Sequence, residues 1–184
     1  MNIPINKPLK KLTMFFIVSL FSIGQALAAI SAYTLHPDVE RILMQMSPPS
    51  GVVIEVESLS SDAMTDYAQL IQTQVDALKQ RYADLDVVIV SHGRELVELA
   101  KPKENEPPSD ILQTFESMSN LQGVTVHVCG VVAGWEGKTE QDFASFVDVS
   151  ASGEAQINDY RALGYDVIII ERLSDEDRKS LQPE

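Results

Sequence analysis

The chain has one cysteine, Cys129, at the end of the run Gly-Val-Thr-Val-His-Val-Cys over residues 123–129. The alternation reads as a strand, with Thr125, His127 and Cys129 on one face and Val124, Val126 and Val128 on the other. A thiol delivered to a strand end and followed by the glycine-rich stretch Gly130 to Lys138 is a candidate nucleophile. Thiolate is the reactive form, and a free cysteine titrates at about 8.5, so a working thiol needs a helix N-terminus, a cation or a histidine beside it. His92, in Ser91-His92-Gly93 at the end of another apolar run, and Lys138 are the residues that could supply one. The other reading of the same cysteine is structural, a small hydrophobe packed in the core.

Two further constellations use neighbouring residues. His92, His127 and Cys129 carry imidazole and thiolate groups of the kind that zinc and copper sites use, but with one cysteine their spacing matches no common ligand motif, and no metal is assigned. Gly134-Trp135-Glu136-Gly137-Lys138-Thr139 ends in Gly-Lys-Thr, as a phosphate-binding loop does. That loop requires a glycine five positions before the Gly of Gly-Lys-Thr, where this chain has Val132, so no nucleotide or other cofactor is assigned.

The elements that position these residues follow from pattern. Val52, Val53, Ile54 and Val56 form a short β-branched run, the mark of a strand covered on both faces. Ser60, Ser61 and Asp62 offer N-caps to a helix carrying Tyr67, Leu70, Ile71, Val75, Leu78 and Tyr82 at spacings of three and four. Val87 to Val90 predict a second buried strand leading to His92, and Ser109 or Asp110 caps a helix presenting Leu112, Phe115 and Met118. After Cys129, Gly130 to Lys138 reads as a loop, long for a connection of about 2–6 residues, which invites a functional reading. Val147 to Val149 give a weak strand signal, Ser152 opens a helix closed by Gly164, and Tyr165 to Ile170 form a last apolar strand. The polar, acidic segment from Ser174 frays or carries one exposed turn. Strands alternating with helices predict an α/β fold: a three-layer α/β/α sandwich around a mostly parallel sheet of about five strands. In a parallel sheet Cys129 stands at a carboxyl end, where open α/β sheets bind their ligands.

Composition sets the boundaries. Residues 1–28 read as a secretory signal: Lys7, Lys10 and Lys11, then an apolar run from Leu12 to Ile23, then Ala26-Leu27-Ala28 at the cleavage position. The apolar run is shorter than the roughly 20 residues of a membrane span, so no stable membrane insertion is expected after cleavage. Residues 29–50 form a lead-in segment, with a short helix from His36-Pro37-Asp38 that carries Val39, Ile42, Leu43 and Met46 and ends at Pro48-Pro49. The α/β domain spans 51–171, and 172–184 form an acidic tail. Of 184 residues, 27 are acidic and 14 basic; loss of the leader, with its three lysines, shifts the net charge from −13 to −16. Such a surface repels phosphate backbones and sets nucleic acid aside as a partner. A lone cysteine in an exported chain makes no internal disulfide, which leaves it inert, paired between chains, or working.

The runs Val87-Val88-Ile89-Val90-Ser91-His92-Gly93, Gly123 to Gly130 and Leu163-Gly164-Tyr165, taken in order, resemble the DsrE/DsrF-like proteins, in particular exported DsrE-like members, over about residues 51–171. The resemblance implies a three-layer fold with a parallel sheet, homo-oligomers that are trimers or hexamers, and a part in sulfur oxidation or sulfur relay, while the leader implies a periplasmic or otherwise exported location. In relay members a cysteine at the position of Cys129 receives sulfur as a persulfide and passes it to a partner thiol, which implies a sulfur donor or acceptor protein as partner. His92 would then tune the thiol. Relay members often carry an arginine late in the loop after the cysteine, where this chain has Trp135-Glu136. The rival expectation keeps the same fold as a non-catalytic oligomeric module for a ligand or protein, with Cys129 structural.

Overall fold

The computed structural model describes residues 34–183; the leader over 1–28 and the start of the lead-in lie outside the described residues. Five strands, β1 (Val52–Val56), β2 (Val87–Ser91), β3 (Val124–Cys129), β4 (Val147–Ser150) and β5 (Asp166–Glu171), form one sheet in the order β4-β3-β2-β1-β5. Every neighbouring pair is parallel, and helices lie on both faces, so the three-layer α/β/α architecture is as expected.

On one face, Val52, Ile54, Val56, Val87, Ile89, Val124, Val126 and Val128 join a continuous buried cluster. It is completed by α1 (Pro37–Leu43), α2 (Met64–Arg81) and α3 (Asp110–Ser119), which contribute Val39, Ile42, Ile71, Val75, Leu78 and Phe115, all at 0% exposure. The helix over the second strand run forms where the spacing places it, but its N-cap position falls on Ala63, with no side-chain cap bond, rather than on Ser60, Ser61 or Asp62. In the lead-in helix Val39 and Ile42 point inward, whereas Met46 lies past its end and is exposed.

The opposite face is covered more thinly. Val53, Val88 and Val90 pack under Ile157 of α5 (Gly153–Ala162), with Tyr160, Tyr165 and Val167 around them. Ser109 and Ser152 cap α3 and α5 as their sequences predict, accepting from Leu112 N at 3.1 Å and Ala155 N at 3.4 Å. Gly164 takes the left-handed conformation that closes α5. Residues Gly130–Trp135 form a short helix, α4, where a loop was expected. The connection turns helical because Val132 and Ala133 are drawn into the core, which outweighs the poor propensity of two glycines and two valines. After β5 the chain makes the single turn α6 (Asp175–Arg178) and a 3-10 turn, Lys179–Leu181; Leu181 is buried rather than frayed. Among the described residues no helix is long and apolar enough to cross a membrane.

Candidate functional site

The pairing register brings three strand ends together. Val56 lies opposite Ser91 and Ser91 opposite Val128, so the next residues, Glu57, His92 and Cys129, emerge side by side at the carboxyl edge. Within β1 the alternation that sends Ile54 and Val56 into the apolar core sends Glu55, with Val53, to the α5 side, and Glu57 follows it.

Glu55 and Glu57 are each 1% exposed, and a buried carboxylate is tolerable only when paired and hydrogen-bonded. Arg172, just past β5, forks onto Glu55, with Nε donating to Oε1 at 2.6 Å and Nη2 to Oε2. Arg178, at the end of α6, forks onto Glu57 with Nε to Oε1 at 2.5 Å and Nη2 to Oε2 at 2.6 Å, and Leu173 N adds a bond to Oε2 at 3.2 Å. Bidentate pairs of this kind combine charge with fixed geometry. Burial raises the Glu55 carboxyl, but hydrogen bonds and charge from His92 and Arg172 outweigh it and bring it down to about 2. Hydrogen bonding to the carboxylates raises Arg172 and Arg178 above the usual guanidinium range.

His92 sits between the two carboxylates, with Nε2 3.1 Å from Glu55 Oε1 and Nδ1 3.6 Å from Glu57 Oε1. An ionised carboxylate only accepts, so the Nε2–Glu55 contact assigns a proton to Nε2. A third buried carboxylate, Glu95, holds the backbone that carries the imidazole. It accepts from Ser58 N at 2.8 Å, Gly93 N at 3.0 Å and Ser91 Oγ at 2.7 Å; burial pushes it up while these bonds pull the other way. A Cβ on Gly93 would stand 2.3 Å from Ser58 N, so the strand end His-Gly allows the β1 and β2 ends to touch. Gly153 serves the same purpose for α5: a Cβ there would lie 2.5 Å from His92 Cβ and 3.3 Å from Cys129 Cβ. The helix start is therefore seated against both site residues.

Cys129 is a free thiol, 5% exposed, at the N-cap position of α4, where its sulfur makes no cap bond. With His92, Val132, Trp135, Arg178 and Leu181 it lines a cavity of about 120 Å³. On the other side of His92 is a more polar cleft of about 260 Å³, lined by Glu55, Asn158, Arg161, Arg172 and Asp175 among others. The thiol cavity has room for a few heavy atoms, well below the roughly 300–1,000 Å³ of pockets that take drug-sized molecules. The imidazole shares the cavity wall with the thiol while both of its ring nitrogens face carboxylates.

Of the residues singled out in the sequence, Cys129 and His92 come together, and Trp135, 36% exposed on α4, joins them at the cavity wall. Lys138 does not; it lines a separate surface cleft with Val97 and Lys101. His127 turns to Thr125 Oγ1 at 3.1 Å, and burial lowers its pKa against the opposing pull of Asp148. Among the described residues the group able to offer metal ligands is Glu55, Glu57 and His92, with ligand atoms within 4.8 Å of one another. Both carboxylates already hold guanidinium groups, so a cation would have to displace Arg172 and Arg178, and the arrangement is an ion-pair network. The residues that sequence reasoning missed are Glu55, Glu57, Glu95, Arg172 and Arg178. The available signal was two acids at alternate positions of an apolar strand run, which demand cationic partners.

No protein-family model matches the sequence, and no curated protein matches it. Among solved structures, MTH1491 from Methanobacterium thermoautotrophicum, a protein of unknown function, is similar with a TM-score of 0.54 and 19% identity, over 64% of this chain and 96% of its own. The YchN protein of E. coli is similar at a TM-score of 0.49 and 15% identity, over 66% and 99% of the two chains. At 19% identity the likeness to MTH1491 concerns the fold alone.

Proposed function

We propose that this chain of DsrE-like fold is an exported sulfur carrier that holds sulfane sulfur as a persulfide on Cys129, in the periplasm, as a trimer or hexamer, and exchanges it with a donor or acceptor protein. The observation that carries the reading is the convergence of the lone thiol and a positioned imidazole on a small cavity at the carboxyl edge of a parallel sheet. The order of motifs over 51–171 and the fold support it.

In the proposed exchange the Cys129 sulfur attacks the terminal sulfur of a donor persulfide, R–S–SH. A Cys129 S–S bond forms, the donor S–S bond breaks, and the donor leaves as R–SH with the proton that the Cys129 thiol gave up. No outside oxidant or reductant is needed. The reverse step, with an acceptor thiol, unloads the protein. His92, at the cavity wall with both ring nitrogens turned to Glu55 and Glu57, would tune the thiol as a neighbour, and the proton passes directly to the departing R–S⁻. Mass spectrometry after exposure to polysulfide or thiosulfate tests the reading: added sulfur on the wild type and none on Cys129→Ser supports it, and no addition, or equal addition to both, removes it.

A second reading has its own observation. Cys129 is 5% exposed and belongs to the main apolar cluster, as a packing cysteine would in a non-catalytic binding module of the same fold. A native thiol that no small alkylating reagent reaches short of unfolding favours that reading.

A further inference from the structure

A donor or acceptor must bring its sulfur into contact with Cys129, and a residue 5% exposed does not allow that unless something moves. The elements around the thiol differ in how firmly they are held. α4 continues directly from β3 and buries Val132 and Ala133, and α5 buries Gly153 and Ile157. Segment 174–182 is anchored by one apolar side chain and one ion-pair fork. Its buried side chain is Leu181, 3% exposed, which fills one wall of the thiol cavity. Arg178 forms another wall, with its guanidinium on Glu57, and Arg94 Nη2 reaches Ser180 O at 3.4 Å. Ser174 to Asp177, Lys179 and Ser180 are exposed.

We propose that residues 174–182 are a strap that closes the cleft over Cys129 and His92, and that its lifting about Arg172-Leu173 is the step that admits a reagent or a partner's thiol. Local opening that undoes little apolar burial is a low-cost motion in a fold. Lifting the strap takes Leu181 out of the cavity and parts Arg178 from Glu57, whose carboxylate keeps Leu173 N and gains water from the opened cleft, while the Arg172–Glu55 fork holds the hinge to the sheet. The strap concerns the same cleft as the sulfur-carrier reading and rests on it for its purpose, but the two are tested apart. A strap that opens on a thiol that takes no sulfur removes the carrier and keeps the strap. A thiol that loads with sulfur but shows no strap-linked protection does the reverse.

The test uses the whole protein. The protection of Cys129 is the rate of alkylation by iodoacetamide in urea divided by the native rate. It is set beside hydrogen-exchange protection of the strap amides Asp177, Arg178 and Gln182 and of the β2 amides. The strap predicts thiol protection within about threefold of the strap amides and at least about a hundredfold below β2. Protection equal to β2, meaning release only on global unfolding, overturns it, as does a thiol with no protection at all. Leu181→Ser is expected to raise the labelling rate about tenfold or more with β2 exchange unchanged, and an unchanged rate in that folded variant counts against the strap.

Discussion

On the face of the sheet under α1, α2 and α3, strand residues such as Ile54 and Ile89 belong to one continuous apolar cluster, and stability there comes from area removed from water. On the face under α5 the same strands deliver Glu55 and Glu57, which Arg172 and Arg178 must neutralise, with His92 between them. Glu95, bonded to Ser91, is the buried acid at the carboxyl edge of this first face. The second depends on ionisation, and it is the face that borders the thiol. Adjacent residues of one strand, Ile54 and Glu55, thus belong to different kinds of core, one apolar and one an ion-pair network.

The comparison is broken most sharply at the charged face. Arg172→Ala leaves Glu55 buried without its guanidinium and is expected to cost about 3–5 kcal/mol in urea unfolding near neutral pH. The wild-type Glu55, lowered to about 2, contributes stability that is fully present above its ordinary value of 4.5 and is lost as pH falls from there through about 2. The deficit of Arg172→Ala should therefore shrink across that window, since a protonated Glu55 has no charge to pair. A deficit that stays constant down to pH 2 would mean that the fork is not what stabilises this face.

Ile54→Ala, one residue earlier in β1, is expected to cost about 2–5 kcal/mol, with a deficit that does not change over the same pH range. Gly153→Ala sharpens the boundary between the two regions. Its Cβ would meet His92 Cβ at 2.5 Å, so the start of α5 must shift, at a cost of about 1–3 kcal/mol and with altered thiol labelling. A Gly153→Ala protein with wild-type stability and labelling would show that α5 is not seated as described. The smallest effect belongs to Ser109→Ala, which removes the α3 cap far from the charged face and should cost about 1 kcal/mol without touching labelling of Cys129.

The apolar face is legible in the sequence because its signal is local: β-branched runs such as Val52 to Val56 and the three-and-four spacing from Tyr67 to Tyr82 declare strand and helix by themselves. Cys129 and His92 are legible for a related reason, since each ends an apolar run and a parallel sheet sends such ends to one edge. The charged network is not. Glu55 finds Arg172 across 117 residues and Glu57 finds Arg178 across 121, and no periodicity couples such positions. Helix α4 was hidden because its own residues disfavour a helix, and packing decided otherwise. Leu181 gave no pattern either, as one apolar residue in a polar segment.

The central claim is that Cys129 carries sulfur, and the most direct measurement loads the protein with a low-molecular-weight persulfide, removes the excess, and offers an acceptor thiol. The account predicts one sulfur atom per chain on Cys129 and its transfer to the acceptor, with none carried by Cys129→Ser. A wild-type protein whose thiol alkylates readily yet holds no sulfur would contradict it.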